Sequence, residues 1–379
     1  MTKKIYLDNA ATTKVDEEVI KAMLPFFSEK FGNPNSLHEF GREAKESLEL
    51  SRNKIAGWLN VKAEEIIFTG SGTESNNLII KGLAEAYPEK KQIITSVIEH
   101  PAILETCRYM EKKGYKLDYI SVDSNGRINL EELKSKINAN TLLVSVMHVN
   151  NEIGSIQPIE EIAEICKGKC FFHTDAVQSF GKISINASGI DALSASSHKI
   201  NGPKGAGLLY LRKGIKISPL LHGGGQENKI RSGTENIAGI AGFAKAVELA
   251  EKKIKNTEKI KKLRDMIIEK LLKIPGSRLN GSIENRIFNN INVTFENVEG
   301  ESLIMLLDKE GIACSTGSAC SSHSLKASHV LKAIGLRDEE AHGSLRITLG
   351  WDTTEKDIEY AAKKIKEAVE KLRNIYGKN

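Results

Sequence analysis

From about residue 60 to residue 212 short β-branched apolar runs alternate with helical stretches, and this alternation limits the fold more than any other feature. Ile66–Thr69 reads as a short strand, followed by a helix from about Thr73 to Ala86. Ile93–Val97 is apolar enough for a buried strand, and a helix begins near Pro101. Lys116–Val122 alternates like a strand, and Thr141–Val149 is a long β-branched run. Phe171–Thr174, Ala192–Ser196 and Gly207–Leu211 follow. Such a succession calls for βαβ units around a mainly parallel, buried sheet, an α/β architecture. No G-x-G-x-x-G fingerprint opens the first unit.

A charged helical segment from about Glu235 to Lys273 reads as a bridge, and the texture changes beyond it. Phe288–Phe295 reads as a strand, Glu301–Lys309 as a helix, Ser344–Leu349 as a strand and Glu355–Asn374 as a terminal amphipathic helix. That α+β pattern predicts a second, smaller domain from about residue 255 onward. A length of 379 residues accommodates such a division. Residues 311–328 are rich in Ser, Gly and Ala with little to bury, which predicts a mobile loop.

The composition, 40% apolar and 27% charged, is that of a soluble globular protein. No apolar run reaches the roughly 18 residues that span a bilayer, so a membrane partner is not expected. The net charge is +5, but the Lys-rich stretches carry regular Glu partners and read as solvated helix faces. Nucleic-acid binding is therefore not expected either. The N-terminal stretch shows no apolar signal core, so export is not expected. Five cysteines, an odd number, point to free thiols in a reducing cytoplasm. Cys166 and Cys170 flank a Gly-containing helix-to-strand turn and are expected to be buried structural thiols.

Three stretches carry chemistry. Gly70-Ser71-Gly72-Thr73-Glu74-Ser75 follows a strand and opens a helix, where backbone N–H groups suit a phosphate. An ordinary Ser/Thr cap has the same pattern. Asp175, in Asp175-Ala-Val-Gln178, follows an apolar strand, at the end of a parallel strand where ligands bind. Asp175 there suits a pyridinium proton and Gln178 a ring hydroxyl; a helix cap is the alternative. Lys199, in Ser196-Ser-His198-Lys199, follows another strand end. Burial and nearby cations would lower a lysine's pKa and favour imine formation, whereas a surface lysine in a Gly-Pro turn would do nothing. A lysine, an acid for a pyridinium nitrogen and small phosphate donors are what pyridoxal 5′-phosphate (PLP) requires. Ser196 and His198 are candidates for the phosphate, and His100, before Pro101, for stacking on the cofactor ring and moving protons.

With these residues in place the sequence resembles the cysteine desulfurases of the NifS/IscS group, class V of the fold-type I PLP enzymes. The resemblance runs nearly end to end: Tyr6-Leu-Asp-Asn-Ala-Ala-Thr12, Phe31-Gly-Asn-Pro-Asn-Ser36, Thr73-Glu-Ser-Asn-Asn77, Glu99-His100, His148-Val-Asn150-Asn-Glu-Ile-Gly154, Asp175-Ala-Val-Gln178, Ser197-His-Lys199, Arg231-Ser-Gly-Thr234, Gly317-Ser-Ala-Cys320 and Leu345-Arg346. It implies a large PLP-binding domain over 14–254 with a mainly parallel seven-stranded sheet. A small α+β domain would comprise 1–13 and 255–379 and carry the loop at about 311–328.

The roles that follow are what the resemblance implies. Lys199 is the Schiff-base lysine, Asp175 pairs with the pyridinium nitrogen and His100 stacks on the ring. Gln178 and Asn150 lie near the ring hydroxyl and the substrate. Gly72, Thr73, Ser196 and His198 hold the phosphate. Thr234 is lent to the partner site of a homodimer. Arg346 clamps the carboxylate of L-cysteine, assisted by Asn33. Cys320 is the nucleophile that takes the sulfur as a persulfide, leaving L-alanine, and delivers it to an acceptor or iron–sulfur scaffold protein for cluster assembly or other thiolation.

The sequence departs from the group's common pattern at Cys314, His323 and Trp351. Cys314 is either an inert buried thiol or a second sulfur or metal ligand. Two other readings stand beside a desulfurase. One is a selenocysteine lyase or another fold-type I PLP enzyme acting on a sulfur- or phosphoserine-containing substrate. The other is a scaffold that binds sulfur or iron through Cys320 with Cys314 or His323. No ferredoxin-like cysteine run supports a firm metal site.

Overall fold

A computed structural model describes residues 4–317 and 327–376. The strands, in chain order, are β1 (Ile5–Tyr6), β2 (Ile66–Thr69), β3 (Gln92–Ser96), β4 (Lys116–Ile120), β5 (Thr141–Ser145), β6 (Phe171–Asp175), β7 (Ala192–Ser196), β8 (Gly207–Leu211), β9 (Ser277–Leu279), β10 (Asn290–Phe295), β11 (Ile312–Ala313) and β12 (Ser344–Thr348). Seven of them form one sheet in the order β2-β8-β7-β6-β5-β3-β4. All its pairings are parallel except the two made by β8. The chain therefore folds as the α/β class that the alternation predicts.

Both faces of this sheet are covered, and the period-2 rule of a strand decides which residue goes where. Ile66, Phe68, Ile94, Val144, Phe172 and Leu193 pack in one apolar cluster. Ile67, Ile93, Leu143 and Ala192 pack in another. The first face is closed partly by the helix Glu39–Leu59, which starts on a His38 cap and ends at Asn60 in the left-handed conformation, φ 53°. Its buried Ala44, Leu48, Arg52, Ile55 and Leu59 recur every three or four residues along one stripe. This helix lies before the region where the strand–helix alternation begins.

Two expectations shift, and a third is not tested. The apolar run from Thr141 pairs as a strand only to Ser145. Beyond it the backbone still follows β6, with Val146 N and His148 N donating to the carbonyls of His173 and Asp175. The segment Glu235–Lys273 is not one helix but two, Ile237–Lys253 and Thr257–Leu272, joined by a 3-10 turn. The middle of the loop at 311–328, with Cys320 and His323, lies outside the described residues.

A second core forms around the antiparallel sheet β12-β10-β9. It gathers Ile267, Leu271, Ile291, Val293, Leu345, Ile347, Ile358 and Ile365 with Ile5 and Leu7 from the start of the chain. The N-terminal residues enter it because β1 pairs in parallel with β11, and Asp8 bridges to Thr348 just beyond. Trp351 packs there against Phe288, ring centroids 5.2 Å apart. Among the described residues no helix is long and apolar enough to cross a membrane.

Candidate functional site

A cavity of about 220 Å³ opens at the carboxyl ends of the parallel strands. That is where an open α/β sheet leaves room for a ligand, because successive crossovers diverge there. Lys199, Asp175, His100, Gln178, Ser196, His198, Gly72, Thr73 and Arg346 all line it. The fold thus brings together nine of the sequence-selected residues from segments up to 274 positions apart, Gly72 to Arg346.

Asp175 closes β6, and its carboxylate is held at both oxygens. Asn76 Nδ2 donates to Oδ2 at 2.7 Å, and Val177 N donates to Oδ1 at 2.9 Å. Asn76 lies one turn into the helix Gly72–Ala86, whose first turn borders the same cavity. Ser71 caps that helix by accepting from Glu74 N. The first-turn amides of Gly72 and Thr73 have no intrahelical partner available. A Cβ on Gly72 would come within 2.5 Å of Val177 Cγ2, so only glycine lets the helix start this close to the strand end.

Lys199 lies in a short turn after β7, where Nζ donates to the carbonyl oxygens of Ala10 at 2.6 Å and Ala11 at 2.8 Å. Gln178 Nε2 donates to the same Ala10 oxygen at 3.0 Å. Gln178 Oε1 accepts from the buried Lys182 at 3.3 Å. Burial, then the charge of Lys199, pushes the Lys182 ammonium down to about 7. His198 pairs through Nδ1 with Thr12 Oγ1 at 3.1 Å, and burial with the neighbouring lysines pushes it down to about 4. His100 Nδ1 accepts from Ala102 N at 3.1 Å. Its pKa is lowered by burial, with Asp175 partly opposing. A neutral ring accepting at Nδ1 carries its proton on Nε2.

Arg346 comes from β12, the other core. It is 1% exposed, donates from Nη2 to Asp8 Oδ1 at 2.8 Å and from Nη1 to Asn151 O at 3.2 Å. Its Nε is buried with no hydrogen-bond partner among the described residues, as is Asn76 Oδ1. An unmet charged donor and a held carboxylate in one small cavity call for a polar, anionic ligand. The donor set fits PLP: first-turn amides, Ser196 and His198 for a phosphate, Asp175 for a ring nitrogen, Lys199 for a carbonyl carbon.

Three selected residues do not line this cavity. Asn150 is buried, but its amide is already engaged, donating to Ile98 O at 2.9 Å and accepting from Glu152 N and Ile153 N within its own turn. Asn33 is exposed and accepts from Asn35 N. Thr234 is exposed on the loop after Gly223–Gly225. Cys314 is buried, and burial followed by the nearby Asp8 pushes its thiol up to about 12. Among the described residues no group of three or more His, Cys, Asp or Glu could hold a metal ion. Asn76, Asp8 and Asn151 were not singled out from the sequence; Asn76 and Asp8 sit inside quoted motifs, four residues after Gly72 and two after Tyr6.

The chain belongs to the aminotransferase class-V family, which matches residues 5–361. Its fold and site place it among the PLP-dependent enzymes of that family. It is 51% identical, over 98% of its length and 94% of the other chain, to "Cysteine desulfurase IscS" of Methanosarcina thermophila. It is 52% identical to "Cysteine desulfurase IscS" of Dictyoglomus turgidum, over 99% of this chain and 97% of that one. A solved "NIFS-LIKE PROTEIN" superposes with TM-score 0.91 at 42% identity, covering 96% of this chain and 99% of the other. A structure titled "SspA in complex with cysteine" superposes with TM-score 0.81 at 38% identity, covering 92% and 99%.

Proposed function

We infer that the chain is an L-cysteine desulfurase, which removes sulfur from L-cysteine, leaves L-alanine and carries the sulfur as a persulfide on Cys320. The observation that carries this reading is the convergence of Lys199, Asp175 and Arg346 on one cavity. Relatives near 50% identity over the whole chain bear the desulfurase name.

PLP, when bound, supplies an electron sink that lets the substrate C–S bond break. Asp175, fixed by Asn76 and Val177, would hold the ring nitrogen's proton. Lys199 supplies the amine and, held at Ala10 and Ala11, stays at the strand end between turnovers. Arg346 receives the substrate carboxylate, where a planar guanidinium fits best. His100 keeps its proton on Nε2, ready for a group that gains charge. Cys320 takes the substrate sulfur as a thiolate nucleophile, the substrate C–S bond breaks, and the sulfur stays on Cys320 as the persulfide.

Residues 14–254 read as the large PLP-binding domain, and 1–13 with 255–379 as the small one, in line with the two separate apolar cores. A homodimer lending Thr234 to the partner site accords with its exposure here. The exposed Phe27, Phe31, Leu37 and Phe40 offer a surface for that contact. The acceptor is an iron–sulfur scaffold or another sulfur carrier in the cytoplasm.

Incubation with L-cysteine and PLP tests the reading. Alanine should form, and mass spectrometry should find the extra sulfur on Cys320. Cys320→Ala should keep the bound cofactor's colour and lose sulfide release; full activity in that variant removes Cys320 from the reaction. Parallel assays with selenocysteine and phosphoserine separate the desulfurase from the other PLP chemistries.

A further inference from the structure

At the opposite end of β6 from Asp175 a second cavity, of about 390 Å³, opens to the surface. Cys166 and Cys170 line it, with Lys90, Lys167, Lys169 and Arg212 around them. Five residues of strand separate its rim from Asp175. At ~3.3 Å per residue that puts it on the order of 16 Å from the cofactor site.

Both thiols belong to residues lining this cavity, four positions apart in the chain. Cys166 is the last residue of the helix Ile159–Cys166, and its carbonyl accepts from Lys169 N at 2.9 Å and Cys170 N at 3.2 Å. That turn folds Cys170 back over Cys166. Gly168 makes it possible, at φ +71°, with nothing within 4 Å of where a Cβ would be. Cys166 is buried, as expected of both, whereas Cys170 is partly exposed.

We propose that Cys166 and Cys170 form a second reactive site, a dithiol that a hydroperoxide oxidises to an internal disulfide and a thiol reductant reopens. Cys170 is the nucleophile. It is the partly exposed one of the two, and Lys90, Lys169 and Arg212 border the cavity it lines, with Glu164 and Asp191 as the acids there. The Cys170 thiolate attacks a peroxide oxygen, the O–O bond breaks, and the departing hydroxide takes up a proton as water. The sulfenic acid left on Cys170 is then attacked by the Cys166 sulfur. The S–S bond forms, the S–O bond breaks, and the Cys166 proton leaves with that oxygen as the second water. Two thiols and one hydrogen peroxide thus become one disulfide and two waters.

Cys107 and Cys314 supply the internal contrast. Both are buried, and burial first pushes each thiol up to about 12. The test treats the purified PLP-loaded protein with hydrogen peroxide at increasing dose, alkylates free thiols and digests with trypsin. Cleavage after Lys167 and Lys169 separates the two cysteines. The disulfide therefore appears as a linked pair of peptides that dithiothreitol dissolves. The pair should form at least about tenfold faster than either Cys107 or Cys314 oxidises, because the thiolate is the reactive form. In Cys166→Ala no link can form, and dimedone should trap the sulfenic acid on Cys170, with desulfurase activity unchanged. Oxidation of Cys107 or Cys314 at the same rate, or Cys170 staying reduced in Cys166→Ala, overturns the proposal.

Discussion

Asn76 Nδ2 donates to Asp175 Oδ2 at 2.7 Å, so the acid proposed for the cofactor nitrogen is held by a helix it does not belong to. A hydrogen bond to a charged group contributes about 1.5–3 kcal/mol. Asn76→Ala should weaken PLP retention on the order of 10- to 100-fold, read by equilibrium dialysis. Asn76→Asp should do worse, since it sets a second carboxylate against the first. Native retention in both variants would remove Asn76 from the site.

Arg346 should govern substrate rather than cofactor. Arg346→Lys keeps the charge but loses the planar fork and the unmet Nε. KM for L-cysteine should rise about 10- to 100-fold, while the PLP spectrum of the resting enzyme stays the same. A loss confined to kcat would show that the guanidinium does not bind the substrate carboxylate.

Acid should destabilise the fold through buried histidines. His148 and His198 are pushed down to about 4 and His173 to about 3, each chiefly by burial. Unfolded histidines titrate near 6.5. Between about pH 6.5 and pH 4 the unfolded chain binds protons that the native one does not, so stability is present above 6.5 and falls as pH drops. His148→Gln should flatten that fall by up to about 1.4 kcal/mol per pH unit in urea melts. An unchanged slope would mean that His148 is already protonated in the fold.

The loop carrying Thr234 is held at its root by Arg52 and Glu227. Arg52 donates from Nη1 and Nη2 to the two Glu227 oxygens at 2.8 Å each, and Phe68 N adds a third bond. The pair spans left-handed backbone at Glu227, Asn228 and Lys229, φ 45°, 56° and 68°. Non-glycine residues in that region cost roughly 1–2 kcal/mol each. Arg52→Met leaves Glu227 buried and unpaired, a loss of about 3–5 kcal/mol. Thermal melting should show it, together with protease cutting between Leu221 and Asn236. A variant as stable and as resistant as the parent would mean that the loop needs no clamp.

The sheet was legible because its strands are buried on both faces and read as apolar runs. The cofactor residues were legible because small or charged residues at strand ends are costly unless used. Asn150 was less so. Its motif fits a ligand contact, but an asparagine that caps its own turn looks the same in sequence. Asn76 and Asp8 act by holding other side chains, and a supporting contact across 99 or 338 residues leaves no local pattern. The helix Glu39–Leu59 is hard to read from sequence because Ser51 and Arg52 interrupt its buried stripe.

Ala10 and Ala11 hold Lys199, Asp8 holds Arg346, and Thr348 holds the backbone of Ala10 through its hydroxyl at 2.8 Å. The segment from Asp8 to Ala11 therefore cannot settle until the last strand, β12, is in place. The sheet and Asp175 can form before that, and the guanidinium proposed for the substrate carboxylate arrives only with residue 346. In that order of assembly the residues proposed for the cofactor precede the one proposed for the substrate.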